Sequence, residues 1–339
     1  MIKIREISDL GVLKSWDREP YDVRWEPRLY ASSLPFYSGK IEGDVTSSDL
    51  LGKRKNSECC LRKIILGAAG VESSEIYSIA DVRNFERGDL MEWHENRLFL
   101  KGLEDTKYKD WTLIGRIGYD DKPPNELNLP VSKEYGIPIT GRCDMRFRNK
   151  ITNEVITVEM KCPKSGSFDY DDGKPKAYYA VQAGYYLKIL NHPVKIYMNS
   201  GGDARFGEWD LRFEDNNYLY LYSAYKPDVL LFNWNRVEQA IKDITPMIYD
   251  FYNKYYGQET TEEVLSDILK LPGVNFCTEF PCSWEKGTSR CPYYSHCWER
   301  NYKLKYKGNP LKTKEEKKQC KKPNIFNSII SAILQRKNV

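Results

Sequence analysis

The alternation of apolar and polar positions divides the chain into recognisable elements. From Leu61 to Ala69 the apolar residues are dense enough for a short helix, which follows Cys59 and Cys60. A second helix is predicted over about 81–101, where Leu90, Met91, His94 and Leu98 recur at helical spacing, so that His94 is expected on the buried stripe. Residues 102–135 are polar, and Pro123-Pro124 marks a loop. Two alternating segments follow. In 137–148, Ile137, Ile139, Cys143, Met145 and Phe147 share one face, and Thr140, Arg142, Asp144, Arg146 and Arg148 share the other. In 154–162, Ile156, Val158, Met160 and Cys162 oppose Thr157, Glu159 and Lys161. The stretch from Asn149 to Asn153 reads as the turn of an antiparallel hairpin. Pairing symmetric about residues 151 and 152 sets Asp144 opposite Glu159, at a Cβ separation of about 4.5–5.5 Å.

Beyond the loop from Ser165 to Gly173, Pro175 opens a helix reaching about Leu190, with Gln182 and Tyr186 four residues apart on one face. A β-like segment spans 194–213, with Gly201-Gly202 as its turn. Val237, Ile241, Ile244, Ile248 and Phe251 then form an amphipathic helix that Pro246 is expected to interrupt. Residues 325–334 (IFNSIISAIL) read as a short apolar helix, a docking segment too short to span a bilayer. Residues 1–50 mix Pro, Tyr and Ser without periodicity and read as an extension or irregular cap. There is no internal repeat. The predicted fold class is α/β, a mixed central β-sheet flanked by helices. The expected organisation is an N-terminal extension (1–50), a core (51–299) and a basic tail with a short helix (300–339).

Composition agrees with a folded chain: of 339 residues, 41% are hydrophobic, 13% aromatic and 29% charged. No apolar run approaches the roughly 20 residues of a membrane span, and MIKIREISDL lacks the apolar core of a signal peptide. A soluble, cytoplasmic protein without a membrane partner is therefore expected. The net charge is only +4, but residues 300–322 carry ten Lys/Arg and two Glu, a local +8 that leaves the remainder at −4. Such a run serves either as a solvated tail or as a phosphate-backbone contact.

The nine cysteines change the picture more. An odd number without a secretory signal argues against a disulfide framework and for metal or cluster ligation. Cys277, Cys282, Cys291 and Cys297 fall within 21 residues. Cys143 and Cys162 alternate onto the apolar strand faces as core residues, and Cys320 is a tail thiol.

Candidate chemistry centres on the predicted hairpin. Two carboxylates a few ångströms apart repel, so Asp144 and Glu159 need a cation, a shared proton or full solvation. Hard oxygen ligands select Mg²⁺ or Mn²⁺. Lys161, on the same face as Glu159, can orient a water or neutralise developing phosphate charge, and His94 can add an imidazole ligand that favours Mn²⁺. Phosphodiester hydrolysis uses all of these parts. Singly, each has a bland explanation: a solvated strand carboxylate, a chance E-x-K triplet, a satisfied core histidine, two half-buried helix residues.

The order of these pieces resembles the RecB-like branch of the PD-(D/E)XK nuclease superfamily over about 60–300. The matching elements are GDLMEWHE with His94, GRCDM with Asp144, VEMKCP with Glu159 and Lys161, and Q-x-x-x-Y with Gln182 and Tyr186. The resemblance implies a restriction-endonuclease-like core in which His94, Asp144, Glu159 and the Met160 carbonyl hold the metal. By the same resemblance Lys161 acts on the nucleophilic water, while Gln182 and Tyr186 position DNA or the lysine. Tyr178, Tyr179 and Tyr185 either stack on unpaired bases or belong to the core.

In the iron–sulfur members of this family, such as the CRISPR-associated RecB-like exonucleases and AddB, one cysteine precedes the nuclease motifs and three follow them. Cys60 resembles the first, and Cys291 and Cys297 the last two. Thr288 stands where the remaining cysteine is expected, which leaves Cys282, then Cys277, as its substitute. A helical subdomain with a [4Fe–4S] cluster, Zn²⁺ on the same ligands, or unligated thiols remain open. The resemblance implies a metal-dependent deoxyribonuclease acting on single strands or ends, in a prokaryotic or virus-encoded setting. Its partners would be DNA and an integrase, helicase or recombination proteins. The competing expectation is a non-catalytic DNA-end-binding subunit of a recombination or CRISPR adaptation complex.

Overall fold

Seven strands form one mixed sheet in the order β2-β4-β5-β6-β7-β8-β9, and only β5 and β6 run parallel. These are β2 (Trp111–Gly115), β4 (Met145–Asn149), β5 (Val155–Lys161), β6 (Val194–Asn199), β7 (Phe206–Asp215), β8 (Tyr218–Ser223) and β9 (Val229–Asn233). A separate two-stranded parallel pair joins β1 (Leu29–Tyr30) to β3 (Ile139–Thr140). The helices are α1 (Leu61–Ala68), α2 (Ile79–Gly102), α3 (Ala177–Leu190), α4 (Asn235–Tyr255) and α5 (Glu262–Lys270). This computed structural model describes residues 26–37, 60–71, 79–115, 127–163, 166, 168, 173–200, 205–215, 217–256, 262–273, 291 and 293. Pro123-Pro124, Gly201-Gly202, Cys277, Cys282, Cys297, Cys320, the basic run 300–322 and the apolar segment 325–334 lie outside the described residues. No described helix is long and apolar enough to cross a membrane.

The alternation in 154–162 sorts side chains to the two sheet faces as predicted. Val158 and Met160, with Met145 and Leu113, pack against Met91, Phe99 and Leu100 of α2. Phe99 meets Phe147 and Tyr197 edge to face, at 5.5 and 5.4 Å. On the opposite face Ile196, Met198, Trp209 and Leu211 join the larger core with α1, α3 and α4. Because both faces are covered, Thr157 and Glu159 are fully buried rather than solvated.

Four elements depart from expectation. The segment 137–148 is not one strand: β3 ends at Thr140 and β4 begins at Met145. Residues 141–143 pair instead with the 127–129 stretch, through Leu129 N–H to the Gly141 carbonyl and Cys143 N–H to the Leu127 carbonyl. A Cβ on Gly141 would lie 2.9 Å from both Ala31 and Leu129, so only glycine admits this crossing. Ile137, Ile139 and Cys143 therefore face a different core from Met145 and Phe147. Secondly, the polar-looking 102–135 contains β2, an edge strand whose alternation is too short to stand out. Thirdly, α4 continues through Pro246. The proline cannot donate to the Lys242 carbonyl one turn back, and both residues lie on the exposed side of the helix. Fourthly, α2 is rotated from its expected phase: Leu90, His94 and Leu98 are exposed, while Glu95 and Asn96 are buried.

Part of the chain's first fifty residues is integral to the core. Leu29, Ala31, Leu34 and Phe36 are buried, and Phe36 packs edge to face on Phe232. Arg236, itself buried, donates to the Tyr37 carbonyl at 3.3 Å. At the other end, the Arg62 guanidinium donates to the carbonyls of Leu269 and Leu271, tying the carboxyl end of α5 to α1.

Helix α3 lies against the sheet through Gly184, where a Cβ would come within 2.7 Å of both Leu219 and Trp234. Gly184→Ala should lower stability by about 1–3 kcal/mol through overpacking. Gly88→Ala, at a position with nothing within 4 Å, should raise it by about 0.5–1 kcal/mol. Urea unfolding that gave the two variants equal midpoints would contradict this packing.

Candidate active site

The break between β3 and β4 builds the site. Met145 pairs with Val158 and Arg146 with Thr157, so the antiparallel register continues to Asp144 opposite Glu159, as the hairpin symmetry predicts. Asp144 sits at the bend, past the last ladder pair, and its Oδ2 accepts the Met160 N–H at 2.6 Å. A side chain thus replaces the backbone acceptor that a continued strand would supply.

Glu159 is completely buried in the middle strand and ion-paired with Lys161 through Oε1. Its Oε2 is buried with no hydrogen-bond partner. Burial and the neighbouring Asp144 push the Glu159 carboxyl up to about 8, although Lys161 and Tyr186 pull against them. Burial works against the Lys161 ammonium, yet Glu159 and Asp144 outweigh it and hold the group more firmly protonated than a free lysine. One fifth of the Lys161 side chain stays exposed, and its Nζ lies 5.4 Å from the centre of the Tyr179 ring.

Helix α3 supplies the roof. Gln182 Nε2 donates to the Tyr186 hydroxyl at 2.6 Å, as their shared helix face predicts. The Tyr186 hydroxyl in turn donates to the Arg142 carbonyl at 3.1 Å, beside the strand break. Burial, reinforced by Glu159 and Asp144, raises the Tyr186 hydroxyl well above its ordinary range, so it remains a donor. Asp144, Glu159, Lys161, Gln182 and Tyr186 therefore form one connected cluster, with the Met160 backbone held between the two acids. Tyr179 and Tyr185 are buried and Tyr178 packs against the core, which places all three in the scaffold.

His94 does not join the buried cluster. The side chain that α2 turns inward is Glu95, whose carboxylate accepts Asn199 Nδ2 at 2.5 Å and the Tyr197 hydroxyl at 3.3 Å. Glu95 and Asp144 both act on the Cys162 thiol, which burial, first of all, raises to about 12. The signal that could have found Glu95 is the second helical stripe, Met91, Glu95, Phe99 and Leu103, at i+4 spacing throughout. Leu90 and Leu98 obscured it.

Asp144 and Glu159 offer hard oxygens, and the orphaned Glu159 Oε2 is a buried acceptor that a cation would satisfy. Among the described residues no three His, Cys, Asp or Glu side chains gather as a metal-binding group. Of the cysteines proposed for a cluster, only Cys60 and Cys291 are described, both buried and free of disulfides. Tyr293, two residues beyond Cys291, donates its hydroxyl to the Val71 carbonyl at 3.4 Å and lies against Gly67 of α1. Tyr293 thus packs on the helix that Cys60 opens. Comparison with protein-family models, characterised proteins and solved structures finds no match to the chain.

A carboxyl lifted to about 8 leaves a signature in metal-free protein. Between about pH 4.5 and 8 the unfolded chain has released this proton and the native state retains it, so stability falls as pH rises, by up to about 1.4 kcal/mol per pH unit. Glu159→Gln should remove that slope and raise the melting temperature at pH 8. Urea titrations in chelator with parallel pH dependence in parent and variant would refute the assignment.

Proposed function

We propose that the chain is a divalent-metal-dependent deoxyribonuclease of the RecB-like PD-(D/E)XK type, cutting phosphodiester bonds exonucleolytically in single-stranded or end-containing DNA. The observation that carries this reading is the convergence of Asp144, Glu159 and Lys161 at a strand break, roofed by the hydrogen-bonded Gln182–Tyr186 pair. A purely structural ion pair would not require a buried carboxylate with an unpartnered oxygen beside a second acid.

Asp144 and Glu159, with the Met160 carbonyl, would hold Mg²⁺ or Mn²⁺. When bound, the metal supplies Lewis-acid polarisation of the phosphate and a more acidic water. The chain's own residues do the rest. Lys161, kept cationic by its two acidic neighbours, stands at the sheet end where it can orient the attacking water and meet phosphate charge. Gln182 fixes Tyr186, and Tyr186 fixes the Arg142 carbonyl, so the bend carrying Asp144 cannot relax. Exposed His94 lies one residue from Glu95, and Glu95 is the group that α2 contributes to the buried sheet end.

For the cysteines we propose a [4Fe–4S] cluster closed by Cys60, Cys282, Cys291 and Cys297, with Zn²⁺ as the competing occupant. The packing of Tyr293 on Val71 and α1 supports it, because it brings segments more than 200 residues apart to one helix.

The test of hydrolysis is end-labelled single-stranded DNA with Mg²⁺ or Mn²⁺. Parent protein should shorten it, chelator should stop the reaction, and Asp144→Ala or Lys161→Ala should slow it about 100-fold or more. Parent that holds DNA in chelator but never shortens it with metal would instead be the end-binding subunit. Anaerobic protein should contain iron and sulfide and absorb broadly in the visible, and Cys60→Ser or Cys291→Ser should lose both. Zinc alone in parent protein would overturn the cluster.

A further inference from the structure

At the sheet end that carries Lys161, a corner of aromatic surface lies open to solvent. Phe206 begins β7 and is 54% exposed; Tyr225, just past β8, is 65% exposed. Their rings meet edge to face at 5.4 Å. Isolated exposed aromatics are ordinary, but a paired exposed couple is not. Tyr108, also exposed, lies close enough to join burial and Glu208 in raising the Tyr225 hydroxyl.

The strand register fixes where this corner stands. Lys161 is opposite Met198 across β5 and β6, and Met198 is opposite Gly207 across β6 and β7. Phe206 is the next residue, opposite Asn199, the residue that holds Glu95, so its side chain stands on the α2 face of the sheet and Lys161 on the other. Two strand spacings, about 10 Å, separate β5 from β7 at this end.

Cationic side chains stand beside these rings. Lys107 stacks over Tyr108 at 5.0 Å and exposed Lys226 immediately follows Tyr225, while Arg205, next to Phe206, lies over the Phe168 ring at 5.2 Å. The nearby acids are engaged: Lys195 bridges Glu208 and Asp210 at 2.6 and 2.8 Å, and the Tyr225 hydroxyl donates to Glu208 at 3.1 Å. Cationic side chains interleaved with exposed rings bind the backbone and stack the bases of an unpaired strand. A duplex end, with its bases stacked and paired, offers the rings nothing to replace.

We propose that Phe206 and Tyr225 form a base-stacking platform for single-stranded DNA at the sheet end that Lys161 closes, from which the strand crosses that end to reach the Asp144–Glu159–Lys161 cluster on the other face. The proposal rests on the nuclease reading for its second half only; the platform itself is a binding claim.

The experiment uses full-length protein in chelator, with a short fluorescein-labelled oligothymidylate and a blunt duplex of equal length, read by anisotropy. Phe206→Ala and Tyr225→Ala should each weaken oligothymidylate binding about 10-fold while leaving the duplex unchanged. Phe206→Tyr should bind like the parent, and 2-aminopurine placed in the strand should be quenched by parent and not by the alanine variants. Unchanged single-strand affinity, equal loss on both probes, or no binding by the parent would each overturn the platform. So would concentration-dependent dimerisation abolished by the alanine substitutions with unchanged oligonucleotide affinity, since the corner would then cover a second copy. Cleavage of the same strand by parent protein in Mg²⁺ is scored separately. A parent that binds through these rings but never cuts loses the nuclease reading and keeps the platform, and a cutting parent whose variants bind normally does the reverse.

Discussion

Glu159 is the residue around which the sheet end has to be arranged. A carboxylate with no exposed surface, one oxygen unpartnered and a second acid across the hairpin is among the costliest groups to place in a core. An unsatisfied buried acceptor alone costs about 1–3 kcal/mol, more when it is charged. Lys161 offsets part of this through Oε1, and the raised affinity of the carboxyl for a proton offsets more. The surrounding structure must therefore be stable enough to impose the arrangement. It does so with fully buried neighbours on both sides, Val158 and Met160 toward α2 and Ile196 and Met198 toward α3.

Asp144 is held by a different device. A continuous strand would have pointed it out of the sheet plane and given Met160 a backbone acceptor. Gly141 instead lets the chain cross close to Ala31 and Leu129, and the 127–129 stretch captures the backbone that β4 gives up. The carboxylate then takes the Met160 N–H. Tyr186 anchors the same bend by its bond to the Arg142 carbonyl, and Gln182 anchors Tyr186. These bonds tie the bend carrying Asp144 to β5 on one side and to α3 on the other.

Much of this was legible in the chain. The alternation of 154–162 and the short turn at 149–153 are local signals, and they were enough to set the register that brings Asp144 to Glu159. The i,i+4 spacing of Gln182 and Tyr186 was equally local. What escaped depends on tertiary partners. Glu95 and Asn96 are polar residues on a buried helix face, so the apolar residues Leu90 and Leu98, which lie outside, outweighed Met91, Phe99 and Leu103 in setting the phase. Gly141 looked like an ordinary strand residue because tertiary packing, of Ala31 more than a hundred positions away and of Leu129, is what makes a Cβ impossible there. Pro246 looked like a stop because sequence does not reveal that Lys242 faces water.

The topology explains why reactive groups collect at this end rather than elsewhere. β5 and β6 are the one parallel pair in the seven-stranded sheet, joined by the crossover through α3. A parallel pair directs both carboxyl ends the same way, and the crossover helix must begin near that end, which is where open α/β sheets hold their ligands. Lys161 closes β5, Asn199 closes β6, and α3 begins close enough for Tyr179 to meet the lysine. Antiparallel β7 then returns from the same end, so its first residue, Phe206, is forced beside Asn199. The acidic cluster and the exposed aromatic surface share this sheet end, on its two faces, because one crossover fixes the direction of three adjacent strands.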